Sequence, residues 1–125
     1  MSTGDRAHVL VIDDDPVAVE GMRQLLGGLG YDVTIATSGT EGLLSALPGS
    51  VSVVLCDLGL PDVDGFEIAL RLRRDPRTRH VRLVAVTGYR RMADDTARAA
   101  GFDAYLVKPV EIEALLAALE GRGGG

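Results

Sequence analysis

Short runs of apolar residues recur along the chain at intervals typical of strands that alternate with helices. Five runs are rich in strand-forming residues, and several are continuously apolar instead of alternating with polar residues. A continuous apolar run fits a strand that is buried on both faces, as in a parallel sheet covered by helices. The predicted strands are His8–Ile12, Asp32–Ala36, Val51–Cys56, Val81–Val86 and Ala104–Val107.

Helical periodicity is clearest in two segments, where apolar residues recur at the spacing of one helix face. The first stripe is Ala18, Met22, Leu25, Leu26 and Leu29, and the second is Ile112, Leu115, Leu116 and Leu119.

Three further helices are predicted from caps and propensity. Ser38 with Glu41, and Asp64 with Glu67, have the spacing of capping boxes. The segment Arg90–Ala100 favours a helix, but its apolar face consists only of alanines, so we expect it to be the least firmly packed.

The elements form five successive β-α units. Right-handed crossovers would close such units into a doubly wound α/β fold, with a five-stranded parallel sheet and helices on both faces. We expect residues 1–125 to be a single domain with its core at about 7–120, and the glycine-rich residues 121–125 to be a flexible tail.

Composition and charge argue against some classes of function. The 125 residues carry a net charge of -5, which disfavours direct binding to nucleic acid. Cys56 is the single cysteine, and neither a signal peptide nor an apolar run of membrane-spanning length is present in the sequence. We therefore expect a cytoplasmic protein without a membrane segment of its own.

Polar residues follow the predicted strands at their carboxyl ends. Asp13 and Asp14 follow the first strand, Asp57 the third, Thr87 the fourth and Lys108 the fifth. Because parallel strands end at the same edge of the sheet, these side chains should converge there.

Three carboxylates about 4 Å apart would repel by roughly 4 kcal/mol per pair at an effective dielectric of 20, so they require a cation or protons. Mg²⁺ prefers oxygen ligands and is often held by carboxylates together with phosphate oxygens. A metal, an ammonium group and a hydroxyl around an acceptor are what phosphoryl transfer needs. Asp57, at the centre, is the predicted nucleophile.

Other acidic residues have simpler explanations. Asp15 precedes Pro16, which is an ordinary helix start, so we assign Asp15 a capping role. Asp62 and Asp64 stand near Gly65, but the other ligands of a calcium loop are missing. We therefore interpret both as turn and cap residues.

The motifs VLVIDDDP, VVLCDLGLPDVDG, AVTG and LVKP, in this order, resemble the receiver domain of two-component response regulators, the CheY-like family, including the receivers of hybrid histidine kinases. The likeness spans nearly the whole chain and implies a flavodoxin-like (βα)5 fold with strand order 2-1-3-4-5.

The resemblance also implies a role for each site residue. Asp13, Asp14 and Asp57 would bind Mg²⁺, or Mn²⁺ in its place, together with the main-chain carbonyl of Gly59. Asp57 would accept the phosphoryl group. Thr87 and Lys108 would bind that group, Tyr105 would be the aromatic switch residue, and the bond from Lys108 to Pro109 would be cis. Gly59 and Tyr89 would set the rate of dephosphorylation.

The partners implied are a histidine kinase or a histidine phosphotransfer protein as donor, and a downstream protein on the surface of the fourth helix, fifth strand and fifth helix. We expect a monomer or weak homodimer. We also expect that the protein is not an enzyme and that it promotes only its own phosphorylation and dephosphorylation.

Two alternative functions stay open. One is a Mg²⁺-dependent phosphohydrolase with an aspartyl-phosphate intermediate, although Gly59 stands where its general acid would be. The other is a binding module that works without phosphorylation.

Overall fold

The structure, a computed structural model, describes residues 7–47, 50–88 and 94–121. Five strands alternate with five helices in these ranges. The strands are β1 (His8–Ile12), β2 (Asp32–Ala36), β3 (Val53–Asp57), β4 (Arg82–Thr87) and β5 (Ala104–Val107). The helices are α1 (Pro16–Gly28), α2 (Gly39–Ala46), α3 (Gly65–Arg74), α4 (Asp94–Ala99) and α5 (Ile112–Glu120).

All strand pairs are parallel, and the sheet order is β2-β1-β3-β4-β5, which confirms the predicted fold. Successive strand residues point to opposite faces, and each face is covered by helices. Leu10, Ile12 and Val54 pack with residues of α2, α3 and α4, whereas Val9, Val11 and Val53 pack with residues of α1 and α5. The two cores explain why the strand segments are continuously apolar.

Two strands lie closer to the carboxyl end than predicted. β3 begins at Val53 instead of Val51, and β4 begins at Arg82 instead of Val81. Val51 and Val81 are buried without belonging to the strands, so their apolar character reflects burial and not strand pairing. The shift makes Asp57 and Thr87 the last residues of their strands, and Asp57 is in register with Val86.

The helix starts agree with the predicted N-cap residues. The second hydrogen bond of each capping box, from the N-cap amide to the glutamate side chain, is not formed. The side chains of Asp15, Ser38 and Asp64 accept backbone amide hydrogen bonds at the starts of α1, α2 and α3. Glu41 accepts from the Thr37 amide instead of the Ser38 amide, and Glu67 pairs with Arg71. Ser38 accepts from the Glu41 amide, as a capping box predicts, whereas Asp64 accepts from the amide of Phe66 and not of Glu67. The predicted helix starts are therefore correct, but neither box is complete.

The described part of the fourth helix ends one residue before the predicted Ala100. It spans Asp94–Ala99, and residues 89–93 lie outside the described residues, as do residues 122–125 of the predicted tail. Within the ranges that the structure describes, no helix has both the length and the apolar character needed to cross a membrane.

Candidate functional site

Three carboxylates meet at the carboxyl edge of the sheet. Asp13 and Asp14 follow β1, Asp57 ends β3, and one oxygen from each lies within 4.8 Å of the others. Asp13 is 6% exposed and Asp57 is 9% exposed, whereas Asp14 is exposed. The sequence prediction that these side chains converge is therefore correct in the structure.

Backbone contacts orient two of these carboxylates. Asp13 Oδ1 accepts a hydrogen bond from the Asp15 amide at 3.0 Å, and Asp57 Oδ1 accepts one from the Gly59 amide at 3.0 Å. The Asp13 amide donates to the Ala36 carbonyl of β2 at 3.1 Å. Each side chain is thus fixed through Oδ1, which directs Oδ2 toward the same centre.

Lys108 faces these second oxygens. Its Nζ lies 3.1 Å from Asp13 Oδ2 and 3.5 Å from Asp57 Oδ2. The Lys108 amide donates to the Thr87 carbonyl at 2.8 Å, and the Lys108–Pro109 bond is cis, the isomer that the resemblance implies. Partial burial lowers the pKa of Lys108, but the hydrogen bond to Asp13 and the charges of Asp57 and Asp13 outweigh this effect, so the pKa is raised overall.

The charges of this group do not balance. Three carboxylates and one ammonium leave a deficit of two positive charges, from three minus one, at a site that offers only oxygen ligands. A hard divalent cation such as Mg²⁺ fits both the charge and the donor atoms. The residues present therefore suit the metal that the sequence predicts.

Thr87 lies on β4, the strand next to that of Asp57, and Tyr105 lies on β5, one strand further along the sheet. Thr87 is the last residue of β4 and is 1% exposed, and it is in register with Val107 of β5. Tyr105 is half-buried and packs against the core on the α2, α3 and α4 side of the sheet. Tyr89, the other residue expected near the site, lies outside the described residues.

Cys56 stands beside the acceptor but has the properties of a core residue. It is fully buried, and burial, with smaller contributions from the Asp57 and Asp13 charges, raises the pKa of its thiol to about 12. A thiol with such a pKa is not a nucleophile at neutral pH, as expected from its place in a buried strand.

An apolar cavity of about 300 Å³ opens next to the carboxylates. Its walls include Val17, Met22 and Leu25 of α1 and Val110 after β5, while Asp57 and Lys108 lie at its polar end. Sequence periodicity assigned Met22 and Leu25 to the core face of α1, but it could not show that this face leaves a gap.

The sequence reasoning also missed the contacts of Asp62. Its carboxylate binds the start of α2, 23 residues earlier, by accepting from the Gly39 amide at 2.9 Å. It also accepts from the Thr40 amide at 3.0 Å and the Thr40 hydroxyl at 3.1 Å. No pattern in the neighbouring sequence predicts a hydrogen-bond partner this distant in the chain.

The chain is similar to a known protein family and to solved structures. The sequence profile described as response regulator receiver domain matches residues 9–120. The chemotaxis response regulator CheY4 of Vibrio cholerae has a similar structure, with a TM-score of 0.84 and 27% identity over 93% of this chain and 98% of that chain. The CheY-like receiver domain protein of Methanospirillum hungatei JF-1 has a TM-score of 0.83 and 29% identity over 94% of this chain and 93% of that one.

Curated relatives show the same likeness. The dual master transcriptional regulator RpaA of Synechocystis, which is described as DNA-binding, is 37% identical over 88% of this chain and 46% of its own length. The polar-differentiation response regulator DivK of Brucella ovis is 30% identical over 83% of this chain and 85% of its own length. The chain spans about half the length of RpaA and of the Bacillus subtilis regulator YkoG.

Proposed function

The chain belongs to the family of response regulator receiver domains, and we propose that it is a phosphoacceptor switch in which Asp57 takes a phosphoryl group from a phosphohistidine. The observation that carries this proposal is the convergence of Asp13, Asp14 and Asp57. The ammonium group of Lys108 pairs with two of them, Asp13 and Asp57. The donor would be a histidine kinase or a histidine phosphotransfer protein.

Asp13, Asp14 and Asp57, with the main-chain carbonyl of Gly59, would hold Mg²⁺, which when bound neutralises charge on the phosphoryl oxygens. An oxygen of Asp57 attacks phosphorus as the phosphorus–nitrogen bond of the donor breaks. The released imidazole nitrogen keeps the electron pair of that bond. Lys108 pairs with a phosphoryl oxygen, and the hydroxyl of Thr87 donates to another.

The response is a population shift between two conformations. Phosphorylation adds negative charge at Asp57, which draws Lys108 and Thr87 toward the phosphoryl group. Tyr105 then turns inward, and the surface formed by α4, β5 and α5 changes. A difference of about 1.4 kcal/mol changes the ratio of two states tenfold, so a few charge-assisted hydrogen bonds suffice.

The apolar cavity beside Asp57 supports a protein donor. A histidine side chain that reaches Asp57 must be carried by a partner that contacts the rim of the site, and Val17 of α1 is 80% exposed there. An apolar contact at this rim would hold the donor in place. RpaA is described as DNA-binding, but for this chain, whose net charge is -5, we propose no direct contact with nucleic acid.

The test is phosphorylation by acetyl phosphate in the presence of Mg²⁺, followed by intact-mass spectrometry. The unaltered protein should gain one phosphoryl group per chain, and Asp57→Asn should gain none. Asp75→Asn, an acid of the loop after α3, is the control and should be labelled like the unaltered protein. Stoichiometric labelling of Asp57→Asn would contradict the assignment.

Tyr89 is proposed to slow dephosphorylation. A bulky ring two residues after Thr87 would shield the acyl phosphate from water in line with the phosphorus–oxygen bond. Tyr89→Ala should therefore lose its phosphoryl group faster than the unaltered protein after removal of the donor. An unchanged or slower decay would contradict this role.

A further inference from the structure

The loop between β3 and α3, residues 58–64, is attached to the sheet by a hydrogen bond from the Leu58 amide to the Val86 carbonyl at 3.0 Å and by the burial of Leu60 in the core. Three further attachments fix its conformation. At its start, the Gly59 amide binds Asp57 Oδ1. At its end, Gly65 lies against Leu58, where an added Cβ would be 2.6 Å from Leu58 Cδ2 and 3.3 Å from the Asp57 carbonyl oxygen. The third attachment is to α2 and is formed by Asp62 and Val63.

Asp62 makes the polar part of that third attachment. Both carboxylate oxygens are used: Oδ1 accepts from the Gly39 amide, and Oδ2 accepts from the Thr40 amide and hydroxyl. These amides belong to the first turn of α2 and have no partner within the helix. A negative charge here also interacts favourably with the helix dipole. The hydrogen bonds from Gly39 and Thr40 lower the pKa of Asp62 to about 2, so it is ionised at neutral pH.

Val63 makes the apolar part. A Cβ added to Gly39 would be 2.8 Å from Val63 Cβ, so the backbone of α2 approaches the loop more closely than any larger residue allows. The loop and the start of α2 therefore form one packed unit. Removal of the Asp62 carboxylate leaves the apolar contact between Val63 and Gly39, but it takes away the hydrogen bonds that orient the loop against α2.

We propose that Asp62 is a positioning residue for the metal site, because it holds the loop that carries Gly59 in the conformation that binds Mg²⁺. This inference rests on the proposed function, in which the Gly59 carbonyl is a ligand. If the loop without Asp62 occupies the binding conformation for only a fraction of the time, the apparent dissociation constant rises by the inverse of that fraction.

The test is isothermal titration of Mg²⁺ into Asp62→Ala and Asp62→Asn without a phosphodonor. We expect Asp62→Ala to raise the dissociation constant about fivefold to tenfold, which corresponds to a competent fraction of about 10–20%. Asp62→Asn keeps one carbonyl acceptor, so a smaller rise is expected. It also replaces Asp62→Ala in the test if that variant does not fold.

Asp75→Ala is the matched control. Asp75 is also a loop acid whose pKa is lowered to about 2, in its case by hydrogen bonds from the side chain and amide of Arg77 in the loop after α3. The substitution Asp75→Ala should change Mg²⁺ affinity less than twofold, even if it lowers the melting temperature as much as Asp62→Ala does.

A second readout is the rate of labelling by acetyl phosphate. At limiting Mg²⁺, Asp62→Ala should be labelled more slowly than the unaltered protein. At saturating Mg²⁺, its labelling rate should be within about twofold of that of the unaltered protein. If the folded Asp62 variants bind Mg²⁺ with unchanged affinity, the inference about Asp62 is wrong, and the proposed function is not affected. Failure of the unaltered protein to bind Mg²⁺ or to be labelled would instead overturn the proposed function.

Discussion

Lys108 Nζ lies 3.1 Å from Asp13 Oδ2, so an ammonium group already occupies part of the space around the predicted metal ligands. The same nitrogen is 3.5 Å from Asp57 Oδ2. The cation compensates part of the acidic charge, but it also repels a second cation.

Replacement of Lys108 by Met should therefore increase Mg²⁺ affinity while it impairs the response to phosphorylation. Loss of one positive charge next to the metal should lower the dissociation constant by about threefold to tenfold, equivalent to about 1 kcal/mol. Isothermal titration measures this change, and Lys108→Arg, which keeps the charge, is the control. A weaker affinity in Lys108→Met would show that Lys108 organises the carboxylates more than it competes with the metal.

Arg73 should be important for stability, because its guanidinium group joins three segments. It makes five hydrogen bonds, to the carbonyls of Gly101, Arg79 and Val81 and to Asp103 Oδ2. Lysine cannot reproduce this fork, so Arg73→Lys should lower the free energy of unfolding by about 1–3 kcal/mol. Urea denaturation provides the measurement.

The neighbouring Arg74 provides the control for this substitution. Its side chain is exposed at the end of α3, so Arg74→Lys should change the free energy of unfolding by less than about 0.5 kcal/mol. Equal effects of the two substitutions would contradict the role of the Arg73 fork.

Two helical glycines should respond in opposite directions to alanine. A Cβ at Gly21 of α1 meets nothing within 4 Å, so Gly21→Ala should stabilise by about 0.5–1 kcal/mol through helix propensity. A Cβ at Gly42 of α2 would be 2.4 Å from Ile12 Cδ1, so Gly42→Ala should destabilise. Thermal unfolding of the pair tests this, and a shift of the same sign in both would contradict it.

The contribution of Asp62 to stability should depend on pH. Its pKa is about 2 in the folded protein, against about 4 in an unfolded chain, because of the hydrogen bonds from Gly39 and Thr40. A lowered pKa stabilises the fold above about pH 4, and this stabilisation is lost as pH falls toward about 2.

Asp62→Asn should therefore lower the melting temperature at pH 7, and the difference from the unaltered protein should shrink between about pH 4 and pH 2. Glu111→Gln is the control, since Glu111 is the N-cap of α5 but makes no side-chain capping bond. A difference for Asp62→Asn that is constant over this pH range would exclude a charge effect.

The sequence was sufficient to predict the convergence of Asp13, Asp14 and Asp57, because strand ends follow from local apolar patterns and parallel strands share an edge. It was less informative at Val51 and Val81, where burial without strand pairing gives the same apolar signal as a strand. In the same way, the spacing of Ser38 and Glu41 identified the start of α2 but not the choice of Thr37 as partner for Glu41.

Asp62 shows why contacts distant in the chain escaped the sequence reasoning. Its local surroundings, a proline before it and a helix start after it, fit a turn equally well. The partner at Gly39 becomes visible only when α2 and the loop are packed together, since the contact depends on the missing Cβ of that glycine.

Asp57 belongs to the strand ladder, in register with Val86 and surrounded by buried neighbours. If Asp57 is phosphorylated as proposed, the sheet hydrogen bonds of β3 would oppose displacement of its backbone. We therefore expect the larger and more negative side chain to be accommodated by movement of the groups around it, so that the hydrogen-bonded central strand would help to pass a local chemical change on to the surface.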